Sequence, residues 1–388
     1  MIPLLLTVGP SAIAIFGKGF FQIALLSVAL FRAKGRIKPP RKLTPLICTT
    51  IFFSLAILST IFINIDDAFY YYKLSTNSLV AILMASVIRK DSENSFASKY
   101  SNTLFIFSIL ALLGLFLNLI TPQNITTEIG LRTYHTNFLT IWISDAGYNS
   151  SQTTFSPFNI RLQSYFDEPG TYGVLAVPAL AYFTSRKSNV RSILLFSCIV
   201  LSESFNAILL SLLVILAIVF NDSHIKRKIT LTAISLILIY IFCDVIINLY
   251  EIKMGLDEAY ANNSSFETRY SEYEYIYRNI ADYAFPKPLQ NISHLELPNI
   301  SSSYVRWIFD SGFILFAILL FPFFETLKAA KIGFFKKTPS GLFISALCVS
   351  VLISGFQRTS FLDNILFLTI IYYCIESRFT IEQAPRQK

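Results

Sequence analysis

Long apolar runs, separated by short basic connections, constrain this chain more than any other feature of its sequence. Of its 388 residues, 54% are hydrophobic and only 14% are charged, and the mean hydropathy is +0.56. A soluble domain carries nearer 25% charged residues, and apolar runs of about 17–25 residues span bilayers as helices. The sequence therefore predicts an all-α polytopic membrane protein, with residues 1–388 forming a single integral membrane domain.

Lysine and arginine collect in the short connections between these runs. The formal net charge of +8 would suit a nucleic-acid ligand, but clusters such as Arg32–Lys42 and Lys226–Lys228 are spread along the chain between apolar runs. Short basic loops mark the cytoplasmic side of a membrane. We therefore expect the charge to set the topology in a lipid bilayer, and we expect no nucleic-acid partner.

The alternation of basic and neutral connections predicts about 11 or 12 transmembrane helices with the C-terminus inside. Residues 1–31 fit either one span with a frayed start or a hairpin of two spans. The interrupted run 193–219 predicts two short segments that form a hairpin with Glu203 at its tip, and Asp66-Asp67 predicts an outer turn. The other predicted spans are 43–65, 68–88, 102–121, 169–185, 229–249, 304–324, 341–356 and 361–375.

The cysteines and histidines give no pattern for a metal site or a disulfide. All five cysteines lie inside apolar runs, and the three histidines are scattered. This distribution predicts that the cysteines are small buried hydrophobic residues, and it predicts neither a metal nor a cofactor. The cysteines are Cys48, Cys198, Cys243, Cys348 and Cys374.

Two long polar segments, 122–168 and 250–303, fall on the predicted outer side. Loops of this length are uncommon in compact domains and are usually functional. In the first segment, Phe138–Ile143 fits an interfacial stretch around Trp142 and equally a surface strand or helix. In the second, Glu267–Asp282 predicts a helix.

Six arginines fall on this outer side, which topology rules leave poor in positive charge. A guanidinium group binds phosphate or carboxylate through two parallel hydrogen bonds, so a lipid-borne phosphate is the ligand that the set indicates. Taken one at a time, each arginine fits an internal ion pair as well, for instance Arg269 with Glu272. The six are Arg132, Arg161, Arg269, Arg278, Arg306 and Arg358.

The stretch from Phe158 to Gly173 brings a cation, a hydroxyl and two carboxylates to the start of an apolar run. Asp167-Glu168 followed by Pro169 is also typical of a helix N-terminus, where acidic residues and proline are favourable. The structural and chemical roles can coexist.

The pattern Arg161-x-x-Ser164-x-Phe166-x-Glu168-Pro169-Gly170 resembles the motif of Wzy-type O-antigen and capsule polysaccharide polymerases, which are related to O-antigen ligases. The layout, with two large outer loops and a short serine-containing hairpin between them, is also similar. The chain departs from the pattern at Ser302-Ser303, where ligases and some polymerases carry His-Asn. It departs again at Ser204-Phe205-Asn206, where many relatives have Ser-Arg-Gly.

The resemblance implies a GT-C-like helical architecture and a metal-independent, inverting glycosyltransferase in the bacterial inner membrane. Such an enzyme moves a growing glycan from undecaprenyl pyrophosphate onto the next lipid-linked repeat unit at the periplasmic face. A chain-length-control protein is a further partner that this function allows. Two alternatives stay open at this point: an O-antigen ligase, and a flippase of lipid-linked oligosaccharide, which would need charged residues along its path.

The chemistry indicates which residues take part. Displacing pyrophosphate leaves growing negative charge that fixed cations stabilise, and we expect Arg161, Arg269 and Arg278 to do so. The acceptor hydroxyl needs a general base, for which Glu168 is the first candidate and His294 or Glu267 the second. The expected substrate-binding residues are Arg306, Ser164, Tyr273 and Tyr304.

Replacing Arg161 by alanine should abolish polymer formation, because the leaving pyrophosphate loses a fixed cation. The measurement is the length distribution of the polysaccharide, with an immunoblot showing that the variant is still present in the membrane. Long-chain polysaccharide in that strain would remove Arg161 from the catalytic set.

Overall fold

In the computed structural model of the protein, the described residues form ten helices and one small sheet. The described ranges are 43–62, 65–88, 93–120, 125–129, 132–136, 141–144, 169–221, 265–279, 320–355 and 365–383, with 24, 27, 31, 162, 164, 233, 304–305, 308, 312–313 and 316–317. The helices are α1 Thr44–Phe62, α2 Ile65–Ile88, α3 Glu93–Ile120, α4 Pro169–Ser185, α5 Asn189–Leu201, α6 Phe205–Asn221, α7 Ser265–Arg278, α8 Phe321–Lys336, α9 Pro339–Gly355 and α10 Ile365–Gln383. The predicted helical class is therefore confirmed for this part of the chain.

A three-stranded antiparallel sheet in the first polar segment corrects the expectation of an all-α protein. Its strands follow chain order: β1 Ile125–Ile129, β2 Arg132–Thr136 and β3 Ile141–Ser144. Glu128 pairs with Thr133, and Tyr134 pairs with Ile143. Threonine, isoleucine and aromatic residues favour strands, and they dominate all three segments. Of the alternatives open for 138–143, the strand is the one adopted at Ile141–Ser144.

The ends of several helices agree with the predicted spans. Helix α4 has the predicted bounds of 169–185, and the run 193–219 is divided into α5 and α6 as predicted. The turn predicted at Asp66-Asp67 is shifted by a few residues: α1 ends at Phe62 and α2 begins at Ile65, so both aspartates lie in the first turn of α2.

Helix α8 also departs from the prediction. The sequence placed Lys328, Lys331 and Lys336 in a connection, but all three lie within the helix. A lysine can lie along a helix surface on its apolar stem while its charge reaches water, so basic residues do not end a helix. The predicted span 229–249 lies outside the described residues apart from residue 233, as do nearly all of residues 1–31.

One helix in the described part of the chain is long and apolar enough to cross a membrane by length and composition. It is the stretch Ser95–Leu117 of α3, with 23 residues and a hydropathy of 1.9. Shorter apolar helices are Thr44–Leu58, Asn189–Leu201, Phe205–Val219 and Pro339–Gly355. This finding agrees with association of the chain with a membrane.

Helix α4 is the centre of the bundle. Every residue from Thr171 to Thr184 is buried, and the helix packs against α3, α5, α6 and α9. A helix that is apolar on all sides is either buried among other helices or surrounded by lipid, and in this protein α4 is buried among other helices. The Tyr100 hydroxyl of α3 donates a hydrogen bond to the Leu175 carbonyl at 3.0 Å, in the turn before Pro178. Pro178 lacks a backbone N–H, so it donates no hydrogen bond to that turn of the helix.

Aromatic rings lock α4 to its neighbours near its C-terminal end. The Phe343 ring of α9 lies 5.3 Å from Tyr100 and 6.5 Å from Tyr182, centroid to centroid. Phe96 of α3 lies 4.6 Å from Tyr373 of α10. Each such pair contributes about 0.5–1.5 kcal/mol to stability beyond the burial of its apolar area. These ring contacts therefore fix α3, α4, α9 and α10 in height relative to one another.

Basic residues make polar contacts at this same end of the bundle. Arg191 at the start of α5 donates to the Asn102 side chain at 3.1 Å and lies over the ring of Phe183. On α8, the buried carboxylate of Glu325 pairs with Lys328 at 2.9 Å and with Arg378 of α10 at 2.6 Å. These contacts tie helix ends together through charges that the predicted topology places inside.

Four of the five cysteines lie within the described residues, and all four are buried free thiols. They are Cys48, Cys198, Cys348 and Cys374. The prediction that they are small buried hydrophobic residues is confirmed for these positions. Cys243 lies outside the described residues.

Helices α8 and α9 meet backbone to backbone, so alanine at Gly333 should destabilise the protein. A Cβ there would lie 2.4 Å from the Gly341 carbonyl oxygen, which is backbone and cannot turn away. We expect a loss of about 1–3 kcal/mol, measured as thermal unfolding in detergent. The control is Lys331→Ala on the exposed face of the same helix, and equal stability of the two variants would contradict the close approach.

Candidate functional site

Part of the predicted motif lies inside the helix bundle. Leu162 and Ser164 are both fully buried. The Leu162 N–H donates to the Leu201 carbonyl at 2.9 Å, and the Ser164 hydroxyl donates to the Phe107 carbonyl at 3.2 Å. Phe107 is the middle of helix α3, so the segment reaches halfway along it. The sequence placed this segment at a membrane mouth, and the structure places these two residues deeper.

The hairpin of α5 and α6 supplies the other wall of this region. Its tip, Ser202–Ser204, is buried, and Glu203 is only 2% exposed. Helix α5 has 13 residues and is about 20 Å long, which is too short to cross a hydrocarbon core of about 30 Å. The hairpin therefore ends within the bundle, and Glu203 lies at its tip, as predicted.

Two contacts fix the depth of the hairpin tip. The Thr184 hydroxyl donates to the Ser192 hydroxyl at 3.2 Å, so α4 and α5 are level near the basic end. Farther along, Gly173 of α4 touches Ser202 at the end of α5. At a rise of 1.5 Å per residue, the second contact lies about 15 Å beyond the first. That distance is about half the thickness of a bilayer core.

Gly173 allows this second contact. A Cβ at this position would lie 2.7 Å from Ala207 Cβ, 2.8 Å from Ser202 Oγ and 3.2 Å from Ser204 Cβ. On the other side, the Tyr172 hydroxyl donates to the Ser108 hydroxyl at 2.8 Å. The first turns of α4 are therefore held between the hairpin and α3.

Buried polar side chains gather where these elements meet. We call Ser164, Ser202, Glu203 and Ser204 the hairpin-tip site; all four are buried. Thr171 is buried as well, but it lies about 200° around α4 from Gly173, on the side of the helix away from the hairpin.

The second predicted half of the site includes helix α7. The predicted helix 267–282 is observed as Ser265–Arg278. Arg278 forms an ion pair with Glu274 at 2.5 Å, and its side chain is 72% exposed. An exposed pair of this kind contributes about 0–1 kcal/mol, so a phosphate can replace the carboxylate. Glu272 and Ile276 are buried and attach the opposite part of the helix to the protein.

Tyr304 packs into the bundle. Its hydroxyl donates to the Leu352 carbonyl at 2.9 Å, and its ring lies 5.4 Å from Phe323 and against Gly355. Tyr273 of α7 is partly buried and packs against the same hydrophobic core that contains Tyr304.

One described residue from each predicted half of the site, Ser164 and Tyr304, can be compared in depth within the bundle. Tyr182 and Phe343 join α4 and α9 by ring contact. From this contact, Gly173 and Leu352 each lie about 14 Å farther along their own helices. Gly173 contacts Ser202 at the hairpin tip, and Leu162, two residues before Ser164, bonds to the neighbouring Leu201, so Ser164 lies near the level of Gly173. The Tyr304 hydroxyl bonds to the Leu352 carbonyl. Tyr304 therefore lies at the depth of the hairpin-tip site.

Several predicted residues are outside the described part of the chain, and their roles stay predictions. They are Arg161, Glu168, His294 and Arg306; of Arg269, only the place in helix α7 is described. Sequence reasoning did not assign a role to Thr171, Glu203 or Glu272. Glu203 gave a signal, because it is the one charged residue in a long apolar run.

Known proteins add no assignment. No protein-family model and no curated protein matches this chain. The likeness to polysaccharide polymerases consequently depends on the motif residues and the layout described above.

Gly173→Ala should separate the hairpin from α4, because the added methyl group meets Ala207 and Ser202. We expect a loss of about 1–3 kcal/mol in stability, measured by thermal unfolding in detergent. Ala207→Gly removes the shortest of the three contacts, so the double variant should lose less than the sum of the single variants. Purely additive losses would contradict the contact.

Proposed function

We propose that this chain is a Wzy-type polysaccharide polymerase, a multi-pass protein of the bacterial inner membrane with its active site facing the periplasm. It transfers a growing O-antigen or capsule glycan from undecaprenyl pyrophosphate onto the next lipid-linked repeat unit. The observation that supports this most is the hairpin-tip site. There Leu162 and Ser164, within the polymerase-like motif, are buried in the bundle and bond to the carbonyls of Leu201 and Phe107, beside the polar hairpin tip.

A recessed polar site suits a substrate that is anchored in lipid. The polyprenyl tail stays in the bilayer, while the pyrophosphate and the first sugar can turn inward between the helices. Water is scarce at such a depth, so fixed charges act more strongly on a developing anion. Excluding water also protects the donor from hydrolysis.

The predicted residues have different roles in this proposal. Arg161 is next in sequence to the buried Leu162 and, with Arg269, would hold the pyrophosphate. Arg278 can leave its weak, exposed pair with Glu274 to join them, and Arg306 is the fourth cation. Tyrosine rings stack on sugar faces, a role for Tyr273, while Tyr304 positions the second segment through its bond to Leu352.

The reaction is a single displacement with inversion. The acceptor hydroxyl oxygen forms a bond to the anomeric carbon of the donor, and the bond from that carbon to the pyrophosphate oxygen breaks. The electron pair leaves with undecaprenyl pyrophosphate, and the hydroxyl proton passes to a base, for which the sequence offers Glu168 first and His294 or Glu267 second. The arginines supply the positive charge, so the proposal needs no metal.

The O-antigen ligase is the second candidate, because it performs the same displacement with a different acceptor. The chain has Ser302-Ser303 where ligases and only some of the polymerases carry His-Asn, which favours a polymerase over a ligase. A flippase fits less well, since its path would need polar groups along the whole depth. In α4 the unbroken burial of Thr171–Thr184 among apolar neighbours offers few such groups.

Deleting the gene from its host should leave single repeat units on the final acceptor, with no longer chains. The measurement is the glycan profile on a gel, with the gene supplied from a plasmid as the control. A profile with no transferred glycan at all would indicate a ligase. Repeat units trapped in the cytoplasm would indicate a flippase, and either result would contradict the proposal.

A further inference from the structure

Glu203 adopts a backbone conformation that its side chain disfavours. Its φ is 50°, in the left-handed region, where a Cβ crowds the backbone and glycine is preferred. Three other non-glycine residues of the described chain have positive φ: Ser164, Lys187 and Lys337. The two lysines are exposed residues at helix ends, where a left-handed residue is a common cap. Ser164 and Glu203 are buried.

The position of Glu203 is also one that glycine would suit. It follows the last turn of α5, and its N–H donates to the Val200 carbonyl at 2.9 Å, as in a helix cap that usually carries glycine. The carboxylate is in addition buried at half the depth of the bundle, where a charged group is expensive and commonly functional. Strain of this kind tends to be kept at active sites.

Among the described residues, a backbone hydrogen bond joins the tip to the motif segment. Leu162 donates to Leu201, and two residues beyond each partner the chain turns left-handed, at Ser164 and at Glu203. Gly173 holds the tip against the first turns of α4. Glu203 is thereby fixed beside the segment that would carry the reacting sugar.

We propose that Glu203 is the general base of the glycosyl transfer, an inference that rests on the proposed function. Its carboxylate takes the proton of the acceptor hydroxyl as that oxygen bonds to the anomeric carbon. The carbon–oxygen bond to pyrophosphate breaks, its electron pair leaves with undecaprenyl pyrophosphate, and Glu203 later returns the proton to water. Glu203 takes the role expected from sequence for Glu168 or His294.

Glu203→Gly separates catalysis from structure, because glycine relieves the backbone while removing the carboxylate. The assay is chain growth by purified protein in lipid vesicles, supplied with undecaprenyl-pyrophosphate-linked repeat unit extracted from the host. We expect a melting temperature equal to or above that of the wild type, and at least a ~100-fold loss of transfer rate. Donor binding should be unchanged, and added formate should restore part of the rate.

Two matched controls isolate the carboxylate. Lys337→Gly makes the same change at a left-handed residue with φ 56° on the exposed end of α8, and it should keep full transfer. Glu376→Gln neutralises another buried carboxylate, on α10, and should also keep it. Glu203→Gln preserves the size of the side chain and should lose transfer while still binding donor.

The outcomes distinguish the two proposals. If wild-type protein does not lengthen the glycan, the proposed function fails and the role of Glu203 with it. If wild-type protein polymerises and Glu203→Gly polymerises equally, only the role of Glu203 is overturned. Loss of donor binding together with transfer would also overturn it, since a base acts on the acceptor. If Glu203→Gly does not fold, Glu203→Gln decides in the same way.

Discussion

One backbone hydrogen bond, from the Leu162 N–H to the Leu201 carbonyl, makes the arrangement of the site possible. Polar backbone groups cannot stay unpaired in the interior of a helix bundle, so an irregular segment enters only where another irregular segment meets it. The end of α5 is such a place, because the last carbonyls of a helix lack partners within it. The motif segment and the hairpin tip therefore depend on each other for their presence at this depth.

The rest of the bundle fixes the height at which these two segments meet. Aromatic rings around Phe343 set the level of α4 against α3 and α9, and the Thr184–Ser192 bond sets it against α5. Because helices are stiff and rise uniformly, contacts near the basic end determine positions about 15 Å away. The hairpin-tip site is thus placed by packing that is remote from it.

Sequence reasoning succeeded where a signal is local. Helix α4 has the predicted bounds because proline begins it and a basic cluster follows it, and Glu203 marked the hairpin because a charge interrupts an apolar run. The depth of Leu162 and Ser164 could not be predicted, because it depends on Phe107 and Leu201, both distant in sequence. Strands β1 and β2 were not predicted, because segments of five residues within a polar loop carry only a short periodic signal. The lysines of α8 were misplaced because charge rules concern topology rather than helix ends.

The contact at Gly173 has a consequence for how substrate and product move. No room for even a methyl group exists between α4 and the hairpin there, so substrate cannot pass between these two elements at that contact. Under the proposed function, donor, acceptor and lengthened glycan must reach and leave the hairpin-tip site by other routes. A product that leaves by the route the donor uses must clear that route before another repeat unit enters, so the exchange of product for substrate, as much as bond formation, determines how fast the polymer grows.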